Sequence, residues 1–313
     1  MSQSSTPACP LSIGSRGSPL ALVQARQVQS ALAKACGIGL EAIEIKIIRT
    51  SGDKIQDRPL ADAGGKGLFT KEIEEALASG AIDFAVHSSK DIPAALPAGL
   101  VLAAFLPRED PRDALVSRKA RTLRELARNA RVGTSSPRRQ ALLMRARPEL
   151  RIVPLRGNVE TRLRKIEGDE MDAAVLAVAG LKRLGLFSAM ATALEVDEFL
   201  PAAGQGAIAI ETRADDDSAR AHAAAIDDTD THTALAAERA FLAALGGSCR
   251  TPIAGHARLN GDTITFRGLL AKTDGSDAIE VSRQGRRADA AALGANAGHE
   301  IKTRAGAGFF VED

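Results

Sequence analysis

Short apolar runs alternate with longer amphipathic segments along most of the chain, and this pattern predicts strands and helices that follow one another. A strand is predicted at 11–14. Ser18 and Pro19 then start a helix to about Cys36, because serine favours the N-cap and proline the first helical turn. Residues 43–48 alternate as a second strand. A strand, a helix and a strand in succession predict a parallel crossover unit.

The same alternation continues to the C-terminus in three parts. The first part goes on with a helix at 68–79 and strands at 82–86 and 100–105. The second part repeats the α/β pattern, and a third part ends the chain. After residue 105, the predicted elements are strands at 114–117, 131–134, 151–155, 172–178 and 207–211, helices at 122–128, 137–147, 158–167 and 231–245, strand-like segments at 253–259, 263–271 and 278–283, and a helix from about 288.

Two segments have the composition of crossings between domains. Residues 107–112 are charged and bracketed by prolines, and residues 200–206 are rich in small side chains. We predict hinges there, and a lid in the glycine-rich stretch 53–66. The predicted domains are a discontinuous first domain at 11–106 and 207–226, a second at 107–206, and a C-terminal domain at 228–313.

Composition excludes several classes of protein. The 313 residues include 41 Lys and Arg against 39 Asp and Glu, so the net charge is only +2. With no Trp or Tyr and nine Phe, few side chains are suited to stacking on bases, which weighs against a nucleic-acid binder. We find no signal-peptide pattern and no apolar run near the ~20 residues of a membrane helix. These features predict a soluble, cytoplasmic protein without a membrane partner.

A polar cluster follows the apolar run at 82–86. The sequence His87-Ser88-Ser89-Lys90-Asp91 places hydroxyls, an ammonium and a carboxylate where a predicted strand ends. Ligands of open α/β sheets bind beyond the carboxyl ends of the strands, so this cluster is a candidate active-site edge. Local sequence alone favours a different interpretation, in which Asp91 caps a turn and Lys90 is a solvated neighbour.

Arginines recur at the same kind of position. Arg138 and Arg139 follow Ser136 and Pro137 in the first turn of a predicted helix, where cations oppose the helix dipole by ~0.3–1 kcal/mol each. An anion bound at that helix start would reverse the sign. Taken singly, such arginines are more often surface charges. Together they favour an anion-binding cleft between two α/β domains, lined also by Arg16 beside Ser18, Arg156, Arg162 and Arg183.

Cys249 stands in Gly246-Gly247-Ser248-Cys249-Arg250, where Arg250 would favour a thiolate. The alternative is a small buried apolar side chain, the common role of a lone cysteine. The three cysteines are too widely spaced for a zinc motif, and the five histidines form no metal-binding pattern, so no metal site is predicted.

Several long motifs, in order, closely resemble those of the porphobilinogen deaminase family, also called hydroxymethylbilane synthases. The resemblance runs from about residue 12 to the C-terminus, although the last 50 residues carry little of it. The motifs are Val86 to Asp91, Pro107 to Asp113, Gly133 to Arg139, Leu155 to Arg162, Ala177 to Arg183, Pro201 to Gly206 and Gly246 to Cys249.

The resemblance implies an enzyme that joins four porphobilinogen molecules into the linear tetrapyrrole hydroxymethylbilane with release of ammonia. It implies a dipyrromethane cofactor held by a thioether, whose cysteine matches Cys249, and a catalytic aspartate that matches Asp91. The implied fold has two α/β domains similar to periplasmic anion-binding proteins and a smaller C-terminal α+β domain. A non-catalytic periplasmic-type anion-binding protein is the alternative, with a nucleic-acid binder third.

The resemblance also implies roles for the other polar residues, which would neutralise the acetate and propionate groups of the pyrroles. Asp91 is expected to be the lone carboxylate among them. Porphobilinogen is the expected small-molecule partner, and the protein is expected to be a monomer. Expected cofactor contacts are Ser88, Lys90, Thr134, Ser136, Arg138, Arg139, Arg162 and Cys249, and expected substrate contacts are Arg16, Ser18, Arg156 and Arg183.

Overall fold

The computed structural model describes residues 11–54, 67–246, 251–306 and 309–310. Two sequence predictions therefore lie outside the described residues: Cys249, and all of the predicted lid beyond residue 54.

Within these ranges, strands and helices follow each other much as the hydrophobic pattern predicts. The strands are β1 (Leu11–Ser15), β2 (Ile43–Ile47), β3 (Phe84–Ser88), β4 (Leu100–Phe105), β5 (Asp113–Ser117), β6 (Arg131–Gly133), β7 (Arg151–Val153), β8 (Ala173–Ala177), β9 (Ala191–Ala193), β10 (Ile208–Arg213), β11 (Ile253–Asn260), β12 (Thr263–Ala271) and β13 (Ala278–Arg286). The helices are α1 (Pro19–Cys36), α2 (Ser51–Lys54), α3 (Lys71–Ala78), α4 (Pro137–Ala146), α5 (Val159–Glu167), α6 (Val178–Arg183), α7 (Asp217–Ala224), α8 (Thr229–Leu245) and α9 (Ala290–Arg304).

The first sheet has the strand order β2-β1-β3-β10-β4. β1 is parallel to β2 and β3, as the crossover pattern predicts, whereas β10 is antiparallel to β3 and β4. The crossover helix α1 starts where expected, because the Ser18 hydroxyl accepts a hydrogen bond from the backbone N–H of Ala21. It ends at Gly37, whose φ of 64° is left-handed and suits glycine.

The second sheet repeats this arrangement in the order β7-β6-β8-β5-β9. β6 is parallel to β7 and β8, and β5 is antiparallel to β8 and β9. Each sheet therefore has one antiparallel strand in the same place, β10 in the first and β5 in the second. The crossing at 107–112 leads directly into β5, and the crossing at 200–206 leads almost directly into β10.

A third sheet, β11-β12-β13, is wholly antiparallel and is covered by α8 and α9. Phe241 and Phe266 are fully buried between this sheet and α8, with ring centroids 5.0 Å apart. The sheet also joins the core of the second sheet, since Ala254 and Leu269 pack in one apolar cluster with Leu115. The third unit is thus docked on the second by apolar contacts.

The mixed α/β class is confirmed, but some local predictions are wrong. The helix predicted at 122–128 is a single 3₁₀ turn at Leu123–Glu125. Arg147 explains this, because its guanidinium donates hydrogen bonds to carbonyls at 123, 124 and 126 that a helix would have used. The short strand β9 and the helix α7 were not predicted.

The strand predicted at 82–86 begins and ends two residues later. Asp83 is held outside it, because its carboxylate accepts hydrogen bonds from the backbone N–H and hydroxyl of Ser12. His87 and Ser88 consequently belong to β3 rather than to the loop after it.

The domain boundaries stay a prediction. Among the residues described, none of the helices has the length and apolar character that crossing a bilayer requires.

Candidate active site

Asp91 lies at an open pocket at the end of β3. The chain leaves β3 through a 3₁₀ turn, Ser89–Asp91, and this turn presents the carboxylate next to the start of α1. Four of the predicted site residues meet at this pocket: Arg16, Ser18, Ser88 and Asp91. Other polar or aromatic residues that line it are Gln24, Phe69, Thr70 and His87.

Arg16 is held on the first-sheet side of this pocket by two partners. Its guanidinium forms an ion pair with Asp53 and lies 4.1 Å from the ring centre of Phe69. Partial burial would raise the pKa of Asp53, but the hydrogen bond and charge of Arg16 hold it below its usual value. Both partners of the ion pair keep about a quarter of their side-chain surface exposed, so Arg16 remains accessible to a ligand.

The second sheet contributes two buried arginines from the start of α4. Arg138 donates from Nη2 to Asp113 at 2.7 Å and from Nη1 to the carbonyl of Leu200 at 2.8 Å. Arg139 donates from Nε and Nη2 to the other oxygen of Asp113 at 3.0 and 2.7 Å. Both arginines are more than nine-tenths buried, and Asp113 is wholly buried at the start of β5. From the sequence, a bound anion was expected to offset the charge of these two arginines. Asp113 supplies part of that negative charge from within the protein.

Lys90 links the two sheets at this point. Its ammonium donates to Gln205 at 3.2 Å, and Gln205 donates in turn to Asp113 at 3.1 Å and to the carbonyl of Pro111 at 2.7 Å. Burial, together with the charge of Arg139, lowers the pKa of Lys90 to about 8. Although burial would raise the pKa of Asp113, the surrounding cations lower it to about 2.

The group around Asp113 carries more positive than negative charge. Lys90, Arg138 and Arg139 surround one internal carboxylate, and the buried Nε of Arg138 has no hydrogen-bond partner within the described part of the chain. The prediction that Asp91 is the lone carboxylate is wrong, because Asp113 is a second one. The balance nevertheless stays cationic, and burying such an excess is costly unless an anion offsets it.

Arg162 and Arg156 extend the cationic surface towards Asp91. Burial and, to a smaller extent, the positive charge of Arg139 lower the pKa of Arg162 to about 10. The negative charge of Asp91 acts in the opposite direction. Its Nε donates to the carbonyl of Gly157 at 2.9 Å. Arg156 also acts on Arg162 through its charge.

The hydroxyls of the second sheet stand at the start of α4. Thr134 accepts a hydrogen bond from the N–H of Ser136 at 3.1 Å, and Ser136 accepts one from the N–H of Arg139 at 3.4 Å. Each hydroxyl keeps its own proton to donate to an anion.

Arg183 lies apart from the Asp91 pocket. It donates to the carbonyl of Gly206 at 2.7 Å and lines a second open pocket with Arg108 and Glu109. The structure therefore does not bring Arg183 to Asp91 as the motif pattern predicted for a single cleft.

The residues that sequence reasoning missed are the ones that tie the cluster together. Asp113 and Gln205 both lie inside quoted motifs, yet neither was given a role. Asp113 carried a usable signal, since a charged residue at the start of an apolar strand must find a partner when the strand is buried. Gln205 carried none, because the four partners of its side chain come from distant parts of the chain.

Comparison with known proteins identifies the family of the chain. Residues 11–221 match the family "Porphobilinogen deaminase, dipyromethane cofactor binding domain", and residues 232–303 match "Porphobilinogen deaminase, C-terminal domain". A porphobilinogen deaminase of Nitrobacter winogradskyi is 62% identical over 299 residues, which cover 96% of this chain and 95% of the relative. One of Nitrobacter hamburgensis is 60% identical over the same length and the same shares of both chains.

Among solved structures, the periplasmic aliphatic sulphonate binding protein SsuA of Escherichia coli is 17% identical with a TM-score of 0.38. The match covers 66% of this chain and 62% of that one, so the likeness is partial and says nothing about a ligand. The two family matches and the Nitrobacter relatives, by contrast, span nearly the whole sequence. The chain belongs to the porphobilinogen deaminase family.

Proposed function

We propose that the chain carries out the porphobilinogen deaminase reaction at the pocket of Asp91, building a linear tetrapyrrole from porphobilinogen. The observation that carries this assignment is the buried excess of positive charge next to one accessible carboxylate. Pyrroles that bear acetate and propionate groups are polyanions, and their condensation passes through a cationic intermediate. The site offers hydrogen-bond donors and positive charge for the carboxylates of the pyrroles, and the carboxylate of Asp91 for the cationic intermediate.

The residues present fit a dipyrromethane cofactor. Its carboxylates would be held by Lys90, Arg138, Arg139 and Arg162, with hydroxyl donors from Ser88, Thr134 and Ser136, and its thioether by Cys249. The unpartnered Nε of buried Arg138 is the observation that supports this fit, since a buried donor without an acceptor is costly. When bound, the cofactor supplies the pyrrole end to which each new unit is added.

The chain's own residues bind, orient and stabilise. Arg16, Ser18 and Arg156 bind the side-chain carboxylates of the incoming porphobilinogen, and Arg183 binds later units at its separate pocket. Asp91 stabilises the cation formed when ammonia leaves, by accepting hydrogen bonds from pyrrole N–H groups. Acid–base help of this kind is worth ~10²–10⁴ in rate, and fixed charges in a site that excludes water add to it.

Several features of this assignment are also our proposal. The crossings at 107–112 and 200–206 serve as hinges that move the growing chain past Asp91. The protein works as a cytoplasmic monomer. A non-catalytic anion-binding protein is not favoured, since the relatives are biosynthetic enzymes.

Intact-mass spectrometry tests the cofactor assignment. The purified protein should exceed its sequence mass by one dipyrromethane, and Cys249→Ser should remove this excess together with turnover. Cys36→Ser is the matched control, because Cys36 ends α1 far along the chain from the predicted anchor, and it should keep both. An unmodified wild-type protein, or a Cys249→Ser variant that still carries the added mass, would show the assignment to be wrong.

A further inference from the structure

A buried group of ionisable side chains lies behind the wall of the Asp91 pocket and has no part in the scheme above. His87 of β3 and Glu211 of β10 are in contact, with His87 Nε2 3.2 Å from Glu211 Oε2. Glu211 is wholly buried and His87 is 5% exposed. Since His87 also lines the Asp91 pocket, its small exposed part faces the site rather than the outer surface.

Glu74 of α3 completes this group, which we call the His87 cluster (His87, Glu211 and Glu74). Burial raises the pKa of Glu74, and the negative charge of Glu211 raises it further. Two carboxylates that interact in a buried place do not both ionise readily, which agrees with the direction in which the pKa of Glu74 is moved. One oxygen of each carboxylate has no hydrogen-bond partner among the described residues.

Other charges around His87 come from several elements. Asp91 lies on the turn after β3 and Arg16 on the turn after β1, and both line the same pocket as His87. Arg239 of α8 interacts with Glu211 through its charge and donates hydrogen bonds to the carbonyls of Pro93 and Ala94. Gln24 of α1 adds no charge. The surroundings of His87 therefore contain charges of both signs, with the carboxylate of Glu211 in direct contact with the imidazole.

The contact with Glu211 fixes how the imidazole can act. An ionised Glu211 accepts a hydrogen bond from Nε2–H, so the ring nitrogen left over is Nδ1, which can take up a proton. A carboxylate behind a histidine in this way sets its tautomer and stabilises the imidazolium that forms. The pairing thus gives the pocket wall a base distinct from Asp91.

The reaction needs such a base more than once. Each addition breaks the C–N bond of one aminomethyl group, forms one C–C bond and removes one proton from the attacked pyrrole carbon. Starting from the ammonium form of the substrate, the released ammonia takes up that proton and leaves as ammonium, so no other acid or base is consumed. Asp91 must nevertheless lose any proton it gains before it can stabilise the next cation.

We propose that His87, backed by Glu211, is the proton relay of this site: it takes the pyrrole proton from Asp91 after each addition and passes it to the departing ammonia. The inference rests on the assignment of Asp91 as the catalytic carboxylate. It adds a role for three buried residues that lie outside the predicted ligand contacts.

The pH dependence of turnover in Glu211→Gln tests this relay. Loss of the carboxylate removes the group that stabilises the imidazolium, so the acid limb of kcat should move to lower pH. At neutral pH, kcat should fall ~10- to 100-fold with KM little changed, because a weaker base remains. Glu74→Gln should move the limb less, since burial already favours the protonated form of Glu74. Glu75→Gln, an exposed change of the same charge on the same helix, is the control that should leave the profile as it is.

A loss of kcat that is equal at every pH would overturn the relay and leave His87 and Glu211 with a structural role. If Glu211→Gln does not fold, nitrogen NMR of the wild-type holoenzyme decides instead, with the His87 signals assigned from His87→Asn. The relay requires an Nε2–H tautomer that titrates at Nδ1 between about pH 5 and 8. An Nδ1–H tautomer, or an imidazole that does not titrate, would overturn it. Both readouts are independent of whether Asp91→Asn loses turnover, so failure of the relay is distinguishable from failure of the Asp91 assignment.

Discussion

Two arginine–aspartate contacts, one on each large sheet, show how the same sequence signal leads to different structures. On the first sheet, Arg16 meets Asp53 with about a quarter of each side chain exposed. On the second, Arg138 and Arg139 share Asp113 with almost no exposure. All three arginines follow the end of a strand, and the local sequence pattern assigned all three to one anion-binding cleft. The family resemblance implied a substrate contact for Arg16 and cofactor contacts for Arg138 and Arg139. Burial separates them, because it decides whether a ligand can compete for the guanidinium.

The exposed contact is weak and exchangeable, whereas the buried one is part of the framework. Exposed ion pairs contribute ~0.2–1 kcal/mol, and removing one partner of a buried pair costs ~3–5 kcal/mol. The first sheet therefore offers an arginine that can turn to an incoming substrate. The second offers fixed positive charge that suits a permanently bound anion.

The largest expected effect lies with Asp91 itself. Asp91→Asn keeps the size of the side chain but removes the charge that would stabilise a cation, so kcat should fall by ~10²–10⁴. The variant should unfold at the same denaturant concentration as the wild type, since Asp91 is not part of the buried ion-pair cluster. Near-normal turnover would remove Asp91 from the mechanism and leave the first sheet with binding roles only.

The next effect is on stability and concerns Asp113. Asp113→Asn leaves Arg138 and Arg139 buried without their counter-charge, and we expect a loss of about 3–5 kcal/mol in the free energy of unfolding. Asp53→Asn is the matched control on the first sheet and should lose about 1 kcal/mol or less. Urea unfolding of both variants measures the difference. Similar losses in the two would contradict the contrast between a fixed and an exchangeable contact.

The same comparison has a pH dependence with a definite sign. The pKa of Asp113 is lowered from 3.8 to about 2 in the folded state. Its contribution to stability is therefore complete above pH 3.8 and is lost as the pH falls towards 2. The free energies of unfolding of the wild type and Asp113→Asn should accordingly differ most near neutral pH and converge in acid.

Lys90 gives a smaller effect that reports on the cofactor. In cofactor-free Cys249→Ser protein, a pKa of about 8 leaves half of the Lys90 amines uncharged at pH 8. Lys90 should then react with an amine-labelling reagent at lower pH than Lys119, an exposed lysine whose pKa is raised by Asp172. Peptide mass spectrometry measures both sites. In loaded protein the carboxylates of the cofactor should suppress labelling of Lys90; equal labelling with and without cofactor would contradict its assigned contact.

The smallest effect concerns Arg16 and the incoming substrate. Asp53→Asn removes the carboxylate that competes for Arg16, so the KM for porphobilinogen should fall by at most about fivefold, with kcat little changed. Arg16→Lys, which loses the planar fork, should raise KM instead. A KM that does not respond to either change would place substrate carboxylates elsewhere in the pocket.

Sequence predicted the regular elements well because local signals fixed them. Ser18 and Pro19 started α1 where the N-cap rule places it, and the apolar runs marked most strands to within two residues. The helix predicted at 122–128 failed because Arg147, some 20 residues later in the chain, takes its carbonyls. Propensity contains no information about such a distant partner.

The site was predictable in its parts and not in its connections. Arg16, Ser18, Ser88 and Asp91 were chosen from strand ends, and they do meet at one pocket. The roles of Asp113 and Gln205 depend on how two sheets and two crossings are placed in space, which no local pattern encodes. The contact between His87 and Glu211 was hidden for the same reason, since 124 positions separate the two residues.

The docking of the third unit has a mechanical consequence for the two large sheets. On one side, α8 is packed on the first sheet, where Leu235 joins the cluster of Phe105. On the other side, β11 is packed on the second sheet through Ala254, and Gly255 donates a hydrogen bond to the carbonyl of Pro201. Leu245 at the end of α8 and Ile253 at the start of β11 share one apolar cluster, so these two parts of the third unit are held together. Any displacement of one large sheet against the other therefore has to shift the third unit against at least one of them.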